Sequence, residues 1–298
     1  MEDRQFGRIH FLRGENKGRY PFANSLYIEG DNLRVIIDPS CSRGKLAYLR
    51  DQKGVDAVWL SHWHEDHFTY LYLFDKCPLW ISAKDFPPLT GIEQLLDGYG
   101  IDNEDYRNYW KSAFQTSFNF RPRQSARFIQ EGEIIDLGSV TVEAIPTPGH
   151  TPGHLSFFFR EESVLFMGDH DLTSFGPWYG DAFSNIDETI KSLQLLRNIP
   201  ARVWLTGHDK GLFEEYPAAR FEHYEKVIYE RENKILALLE KQPAALDKIA
   251  TEWLIYGKPR EPLAFFEFGE RALLKKHLER LLRQGRVVLD NGTYVKIH

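Results

Sequence analysis

Short apolar runs separated by turn residues dominate the first two thirds of the chain. Runs rich in Val, Ile, Phe and Trp that are bounded by Gly, Asp, Asn or Pro are typical of β-strands. Apolar positions at helical spacing predict helices at residues 45–53, 68–74 and 187–197. The predicted strands are residues 6–11, 25–29, 33–37, 55–60, 78–82, 133–137, 140–145, 155–159, 163–167 and 202–205.

These elements follow an order that repeats. A group of strands is followed by a helix, and the same order returns further along the chain. Two sheets packed face to face, with helices on both outer surfaces, satisfy this order because each sheet must cover its outer apolar face. We therefore predict an α+β fold, a four-layer αββα sandwich, as a domain over residues 1–216.

Residues 84–130 depart from the strand pattern. This segment is rich in aromatic residues, among them Tyr99, Trp110 and Phe114, interspersed with Asp, Asn and Arg. We predict a helical aromatic insertion. It either covers a site or forms a small core of its own.

The composition changes near residue 217. Helical spacing predicts helices at 221–241, 245–253 and 270–284, and an Asn-Gly turn at 291–292 predicts a hairpin. Three helices and a hairpin predict a winged-helix-like domain over residues 217–298. Lys and Arg only slightly outnumber Asp and Glu in this domain, so we favour a solvated helix face over a phosphate-binding one. The basic residues concerned are Lys275, Lys276, Arg280, Arg283 and Arg286.

The composition narrows the class of protein. The chain has 298 residues, 42% of them hydrophobic and 27% charged, and a net charge of −6, so a uniformly basic nucleic-acid surface is not indicated. Cys41 and Cys77 do not make a disulfide framework. The polar N-terminus is not followed by an apolar leader, and no apolar run approaches the length of a membrane span. We expect a cytoplasmic protein without a membrane partner.

The candidate chemistry is concentrated in residues 61–67. His62, His64, Asp66 and His67 directly follow the apolar strand at 55–60. Imidazole nitrogens and carboxylate oxygens are ligands of zinc, iron and manganese. More residues of the same types, His150, Asp169 and His208, follow later predicted strands at their ends.

These residues resemble a known pattern. His62-Trp63-His64-Glu65-Asp66-His67 is similar to the H-x-H-x-D-H motif of the metallo-β-lactamase superfamily. The family's later ligands are matched by Thr-Pro-Gly-His, Met-Gly-Asp and Thr-Gly-His, which end at 150, 169 and 208. Asp38 resembles its usual supporting Asp, although Pro39 replaces the Gly that normally follows. The resemblance covers about residues 20–212, and with the C-terminal module it suggests the glyoxalase II or β-lactamase-like protein 2 type.

The resemblance implies a site for two divalent metal ions, zinc first, with iron or manganese as alternatives. His62, His64 and His150 would hold one ion, and Asp66, His67 and His208 the other. Asp169 would bridge both. Spacing agrees with a division between two ions: in an extended loop, residues two apart point the same way, so His62, His64 and Asp66 could converge on one side, and His67 then points elsewhere and can serve the second ion.

The implied chemistry is hydrolysis by a metal-bridged hydroxide. Asp66 would orient this nucleophile and carry its proton to the leaving group. We predict a second catalytic role for His170 as a substrate contact or acid, and a structural role for His154. Aromatic residues beside the ligand loops are candidate substrate contacts because such loops carry specificity. They are Trp63, Phe175, Trp178 and Tyr179.

The favoured function is therefore a hydrolase of a small ester, thioester or lactone-like substrate. One alternative is a metal-dependent endoribonuclease that holds single-stranded RNA with the winged helix. Another is a catalytically weak ligand-binding or regulatory member of the fold. A single-iron persulfide oxygenase has the same ligands and stays open, whereas the diiron flavoprotein type carries Glu where this chain has His64. The sequence does not decide the oligomeric state, and a homodimer is one alternative.

Overall fold

Two β-sheets form the centre of the structure. The computed structural model describes residues 2–297. Within them, the first sheet contains, in spatial order, β1 (Arg4–Phe6), β2 (Ile9–Leu12), β3 (Ser25–Glu29), β4 (Arg34–Ile37), β5 (Ala57–Trp59), β6 (Leu79–Ser82) and β7 (Arg127–Ile129). The second contains β8 (Ile134–Asp136), β9 (Thr141–Pro146), β10 (Leu155–Phe159), β11 (Val164–Phe166), β12 (Val203–Leu205) and β13 (Leu212–Phe213).

In the described part of the chain, six α-helices lie between the strands in the sequence, and three more follow the last strand of the second sheet. The described helices are α1 (Glu15–Gly18), α2 (Arg43–Tyr48), α3 (Glu65–Phe68), α4 (Ile92–Tyr99), α5 (Glu104–Thr116), α6 (Ile186–Arg197), α7 (Ala218–Lys241), α8 (Leu246–Ala250) and α9 (Leu263–Arg283). A separate hairpin joins β14 (Val287–Asp290) to β15 (Thr293–Lys296).

The inner faces of the two sheets share one apolar core. Trp59 of the first sheet stacks on Trp80 at 5.3 Å between ring centroids and lies 5.5 Å from Phe157 of the second sheet. Trp59 and Phe157 are fully buried, and each such side chain contributes about 1.5–3 kcal/mol through its removal from water. Separate apolar clusters, one with Phe114 and one with Phe221, cover the outer faces. The predicted αββα sandwich is confirmed.

The strand directions bring the candidate ligands to one edge of the sandwich. β4 and β5 run parallel, with Ile37 opposite Trp59, and β11 and β12 run parallel, with Phe166 opposite Leu205. Since parallel strands end at the same edge, the residues that follow each pair lie side by side. Asp38 and Ser61 follow the first pair, and the loops to Asp169 and His208 follow the second.

The aromatic segment at 84–130 is helical only in part. Its helices α4 and α5 bury Trp110 and Phe114 in the same cluster as Trp63, so they cover the first sheet beside the ligand loop. Its end is not helical, because residues 127–129 form the edge strand β7, which pairs in parallel with β6.

The C-terminal region has the predicted order of three helices and a hairpin, although its long third helix begins earlier, at Leu263. Helix α7 spans two cores: Phe221 packs against the second sheet, and Ile235 packs with α8 and α9. Lys276 and Arg280 are buried in internal contacts, which removes them from a phosphate-binding face. The domain boundary at 217 and the winged-helix assignment stay predictions. Over residues 2–297, no helix combines the length and apolarity needed to cross a bilayer.

A buried ion pair joins the C-terminal helices to α6. Arg280 donates to Glu232 and to Asp187 at 2.6 Å each, and Glu232 is only 2% exposed. Arg280→Met leaves this carboxylate without its closest partner, so we expect the free energy of unfolding to fall by about 3–5 kcal/mol in urea titrations. Arg283→Met is the matched control, because Arg283 pairs with Asp187 from a side chain 52% exposed; its loss should stay under about 1 kcal/mol. Equal losses would contradict the prediction.

Candidate metal centre

The predicted ligands converge into two adjoining clusters. Four of them, His62, His64, His150 and Asp169, offer ligand atoms that all lie within 4.8 Å of one another. The second cluster, Asp66, His67 and His208, meets the same limit. Sequence-distant loops are therefore brought together, and the division between the clusters is the one that the resemblance implies.

The loop after β5 divides its ligands by changing conformation. His64 is extended (φ −70°, ψ 149°) and is the N-cap of α3, so Asp66 and His67 lie in the first helical turn. The helix begins earlier than the predicted residue 68. The expectation that Asp66 points with His62 and His64 is wrong for this reason, since alternation holds only in extended chain.

The inner nitrogens of the first cluster lie close together. His150 Nε2 is 2.8 Å from His64 Nδ1 and 3.2 Å from His62 Nε2. Asp169 Oδ2 lies 3.5 Å from His150 Nε2 and 3.9 Å from His62 Nε2. Three nitrogens and one carboxylate oxygen thus face a common point.

The second cluster has the same arrangement and shares Asp169. The other oxygen of that carboxylate, Oδ1, is 2.9 Å from His67 Nε2. His208 Nε2 is 3.2 Å from Asp66 Oδ2 and 3.4 Å from Asp169 Oδ2. Asp169 lies between the two clusters, where a bridging ligand is needed.

Outer contacts fix the tautomers of the first three imidazoles. His150 Nδ1 is 3.0 Å from the Trp178 carbonyl, which can only accept, so this nitrogen carries the proton and Nε2 keeps a lone pair. His64 Nε2 is 2.7 Å from Asp181 Oδ2. Ser61 Oγ donates to Asp38 at 2.7 Å, so it must accept from His62 Nδ1 at 2.9 Å.

The two imidazoles of the second cluster follow the same rule. His67 Nδ1 is 2.9 Å from Asp38 Oδ2, and His208 Nδ1 is 3.0 Å from the Gly18 carbonyl. In each of the five rings the outer nitrogen therefore donates, so that the inner nitrogen is the one available to bind a metal ion in place of a proton. Metal-binding histidines are held in this way.

The buried carboxylates and imidazoles of the two clusters shift one another's pKa values. Burial opposes the charged form of His67, but the Asp169 and Asp38 carboxylates outweigh it and raise the pKa of His67 well above its usual value. Burial likewise opposes ionisation of Asp169, yet His67 and His208 hold the pKa of Asp169 well below its usual range. Burial, helped by His64, lowers the pKa of His150 to about 4. Asp169 thus draws positive charge into the centre, while His150 stays a neutral ligand.

Two local features fit a bound cation. His67 Nε2 and Asp169 Oδ1 are buried 2.9 Å apart without an aligned hydrogen bond, and a cation that binds both atoms would satisfy them. Gly207 leaves the space beside them open, because a Cβ there would lie 2.7 Å from Asp169 Oδ1 and 2.9 Å from His67. Five neutral-capable imidazoles and two carboxylates suit divalent zinc, iron or manganese.

The other predicted site histidines lie behind the ligands. His154 accepts from the Asp169 main-chain N–H and contacts Thr147 Oγ1, so both its nitrogens are used. His170 is fully buried, donates from Nε2 to the Thr147 carbonyl at 3.0 Å and packs 4.9 Å from the His154 ring. Any catalytic role of His170 must therefore act through these neighbours.

The predicted substrate contacts occupy different environments. Trp63 is 2% exposed and packs edge-on against His64 and Tyr99. Phe175 is 36% exposed, whereas Tyr179 is fully buried, with its hydroxyl 2.8 Å from His277 Nε2. Trp178 is half-buried and supplies the carbonyl that holds His150.

Two supporting carboxylates were missed in the sequence. Asp181 is 1% exposed and holds His64, although 117 residues separate them. Burial works against a charged His64, but Asp181 outweighs it and raises the pKa of His64 to about 9. Glu65 is buried between the Tyr20 and Tyr99 hydroxyls, which both donate to it. Of these two carboxylates, only Glu65 could have been identified from the sequence, because it lies inside the ligand motif.

The sequence matches a known protein family and several of its relatives. The model of the metallo-beta-lactamase superfamily matches residues 19–208. The atrochrysone carboxyl ACP thioesterase of Aspergillus fumigatus is 24% identical over 214 residues, 67% of this chain and 56% of that protein. The chain thus spans little more than half of that relative. The lactamase-like protein nscB of Trichophyton verrucosum is 26% identical over 83% of this chain and 79% of its own.

Solved structures share the fold over nearly the whole chain. A metallo-beta-lactamase family protein from Thermus thermophilus superposes with a TM-score of 0.72 at 22% identity, covering 97% of this chain and 99% of its own. A beta-lactamase domain protein from Burkholderia ambifaria gives 0.73 at 17% identity, covering 99% and 94%. The family match, which spans more than half of the chain and includes every predicted ligand, identifies this protein as a member of the metallo-beta-lactamase superfamily.

Proposed function

We propose that the chain is a dinuclear metal-dependent hydrolase of small thioesters, with esters and lactone-like compounds as related substrates. The observation that carries the proposal is the common orientation of the five imidazoles, each with its outer nitrogen donating and its inner nitrogen facing the carboxylates. Thioesters are placed first because two of the relatives are named as acyl-carrier-protein thioesterases.

The ligands divide as two sets around Asp169. His62, His64 and His150 would hold the first ion, and Asp66, His67 and His208 the second, with Asp169 touching both. Two divalent ions, zinc first and iron or manganese as alternatives, would supply hydroxide at neutral pH and polarise the substrate carbonyl.

The chain's own residues would then move the proton. Asp66 lies with one oxygen 3.2 Å from His208 Nε2 and the other 3.9 Å from His67 Nε2, so both oxygens border the second cluster. In hydrolysis, the carbonyl carbon gains a bond to the attacking oxygen and loses its bond to sulfur. Asp66 would take the proton of the attacking water and return it to the leaving sulfur.

An aromatic surface beside the two clusters suits an apolar acyl group. Tyr20 donates to Glu65 at 2.8 Å, its ring packs 5.1 Å from that of Phe265 in α9, and the residue remains 40% exposed. Tyr99 stacks on His64 at 5.3 Å. Pockets for small molecules are largely apolar with a few fixed polar groups, as this surface is.

Metal loading tests the whole proposal. We expect the purified protein, reconstituted with Zn²⁺, Fe²⁺ or Mn²⁺, to bind two ions per chain by elemental analysis and to cleave an acyl thioester. His64→Ala should remove one ion and nearly all turnover, because three ligands of the first set become two. The panel includes a lactone, a phosphodiester and single-stranded RNA. A wild-type chain that binds no metal would sink the proposal, and RNA cleavage that is lost in His64→Ala would favour the endoribonuclease.

Asp38 should matter for affinity without touching an ion. Its Oδ2 accepts from both Ser61 Oγ and His67 Nδ1. Asp38→Asn weakens the acceptor that holds the His67 tautomer, so we expect the second ion to bind about 10–100-fold more weakly in chelator competition. Asp31→Asn, which alters an exposed carboxylate paired with Arg8, is the control. Unchanged affinity in Asp38→Asn would refute this role.

The predicted role of His170 has a direct test. His170→Ala removes the donor to the Thr147 carbonyl and the ring that packs on His154, which accepts from the Asp169 main chain, so we expect turnover to fall tenfold or more while both ions stay bound. Elemental analysis and thioester kinetics on the same preparation separate the two effects. Unchanged turnover removes His170 from the catalytic machinery.

A further inference from the structure

The loop at residues 175–184, called here the bracing loop, contacts two ligands of the first cluster. Asp181 Oδ2 accepts from His64 Nε2 at 2.7 Å, and the Trp178 carbonyl accepts from His150 Nδ1 at 3.0 Å. Ser184 Oγ donates to the His150 carbonyl at 2.6 Å. Two of the three first-cluster imidazoles therefore take their orientation from this loop.

The bracing loop contains no helix or strand, and its main chain is tied to α4 by a hydrogen bond from the Ala182 N–H to the Gly98 carbonyl at 3.0 Å. Internal contacts set its shape near the ligands. Trp178 Nε1 donates to Asp181 Oδ1 at 3.2 Å, and Ser184 Oγ accepts from the Asp181 N–H at 3.1 Å. Gly180 permits the turn, because a Cβ there would lie 2.7 Å from the Trp178 ring.

The C-terminal helices hold the loop with buried cations. Arg231 of α7 donates to the Phe175 carbonyl at 2.7 Å and the Pro177 carbonyl at 2.8 Å. Lys276 of α9 donates to the Ala182 carbonyl at 2.7 Å. Arg231 is 3% exposed and Lys276 8% exposed. Burying such groups is costly unless they are fully hydrogen-bonded, so these contacts restrain the loop strongly.

The second cluster is supported from elsewhere. Its imidazoles donate to Asp38 and to the Gly18 and Phe22 carbonyls, all in the N-terminal part of the chain. A further contact from the C-terminal helices reaches the shared ligand, since Tyr224 Oη donates to the Asp169 carbonyl at 3.0 Å. His67 and His208 thus take their orientation from the N-terminal part of the chain, whereas His64 and His150 take theirs from the bracing loop.

We propose that α7 and α9 set the geometry of the first metal site through the bracing loop, with Asp181 and Lys276 as positioning residues. The inference rests on the metal site proposed above. It gives the C-terminal region a function that needs no nucleic acid: it holds His64 and His150 so that the first ion binds tightly. Ligand orientation by outer partners commonly changes metal affinity by about 10–100-fold.

The test is a titration of the metal-free, full-length chain with Co²⁺, followed by visible absorption and calorimetry. Reference spectra for the separate sites come from His208→Ala and His150→Ala, which each impair one site. We expect Asp181→Ala and Lys276→Met to weaken Co²⁺ binding at the first site about tenfold or more, with the second site unchanged. Asp181→Asn, which keeps an acceptor oxygen, should recover part of the affinity. Lys275→Met, which alters a neighbouring and exposed lysine, should bind like the unaltered chain.

Each outcome decides between the two proposals. If the unaltered chain does not bind two Co²⁺ ions, the dinuclear site itself is refuted. If it binds two, and Asp181→Ala and Lys276→Met bind both ions with unaltered affinity, only the bracing role is overturned. An equal weakening at both sites would also overturn it, because it would indicate general destabilisation. If thermal unfolding shows that Lys276→Met does not fold, the comparison of Asp181→Ala with Asp181→Asn decides the question.

Discussion

The centre depends on the two-sided hydrogen bonding of imidazole. A neutral histidine has one nitrogen that donates and one that accepts, so a buried ring can offer a lone pair inward only if an acceptor lies behind it. Five such rings meet in this protein, and each has an acceptor behind it. The acceptor is a carboxylate for two rings, a hydroxyl for one and a main-chain carbonyl for the other two. The supporting atoms must therefore be placed as accurately as the ligands.

The sandwich places several of these acceptors at once. β4 and β5 are parallel neighbours, so Asp38 and Ser61 leave the sheet side by side, and the Asp38 carboxylate accepts from Ser61 N at 2.8 Å. Through Ser61 Oγ the same carboxylate fixes the His62 tautomer, and directly it fixes that of His67. Asp38 adopts a positive φ of 52°, an uncommon backbone state outside glycine, which is consistent with a position held by these contacts.

Elements whose pattern lies in neighbouring residues could be predicted from the sequence. Apolar runs predicted the strands, and ligand types at their ends predicted the centre, because strand ends must meet at a sheet edge. Asp181 has no local signal: it lies in an irregular loop and acts on a residue 117 positions away. The early start of α3 was missed because His64 is an unusual N-cap without a side-chain capping bond. Strand β7 was missed because three residues on the edge of a sheet carry too little pattern.

The same contacts bear on where the catalytic domain ends. A boundary at residue 217 falls where the composition changes, yet Phe221 and Tyr224 pack into the cluster that covers the second sheet. Arg231 and Lys276 then give buried charges to carbonyls of a loop that holds ligands. Removing the residues after 217 would expose these carbonyls and the apolar face to water and release the loop that holds His64 and His150. α7 and α9 thus pack against the candidate metal centre and belong to the shared fold, since the structural similarity covers 97% of the chain.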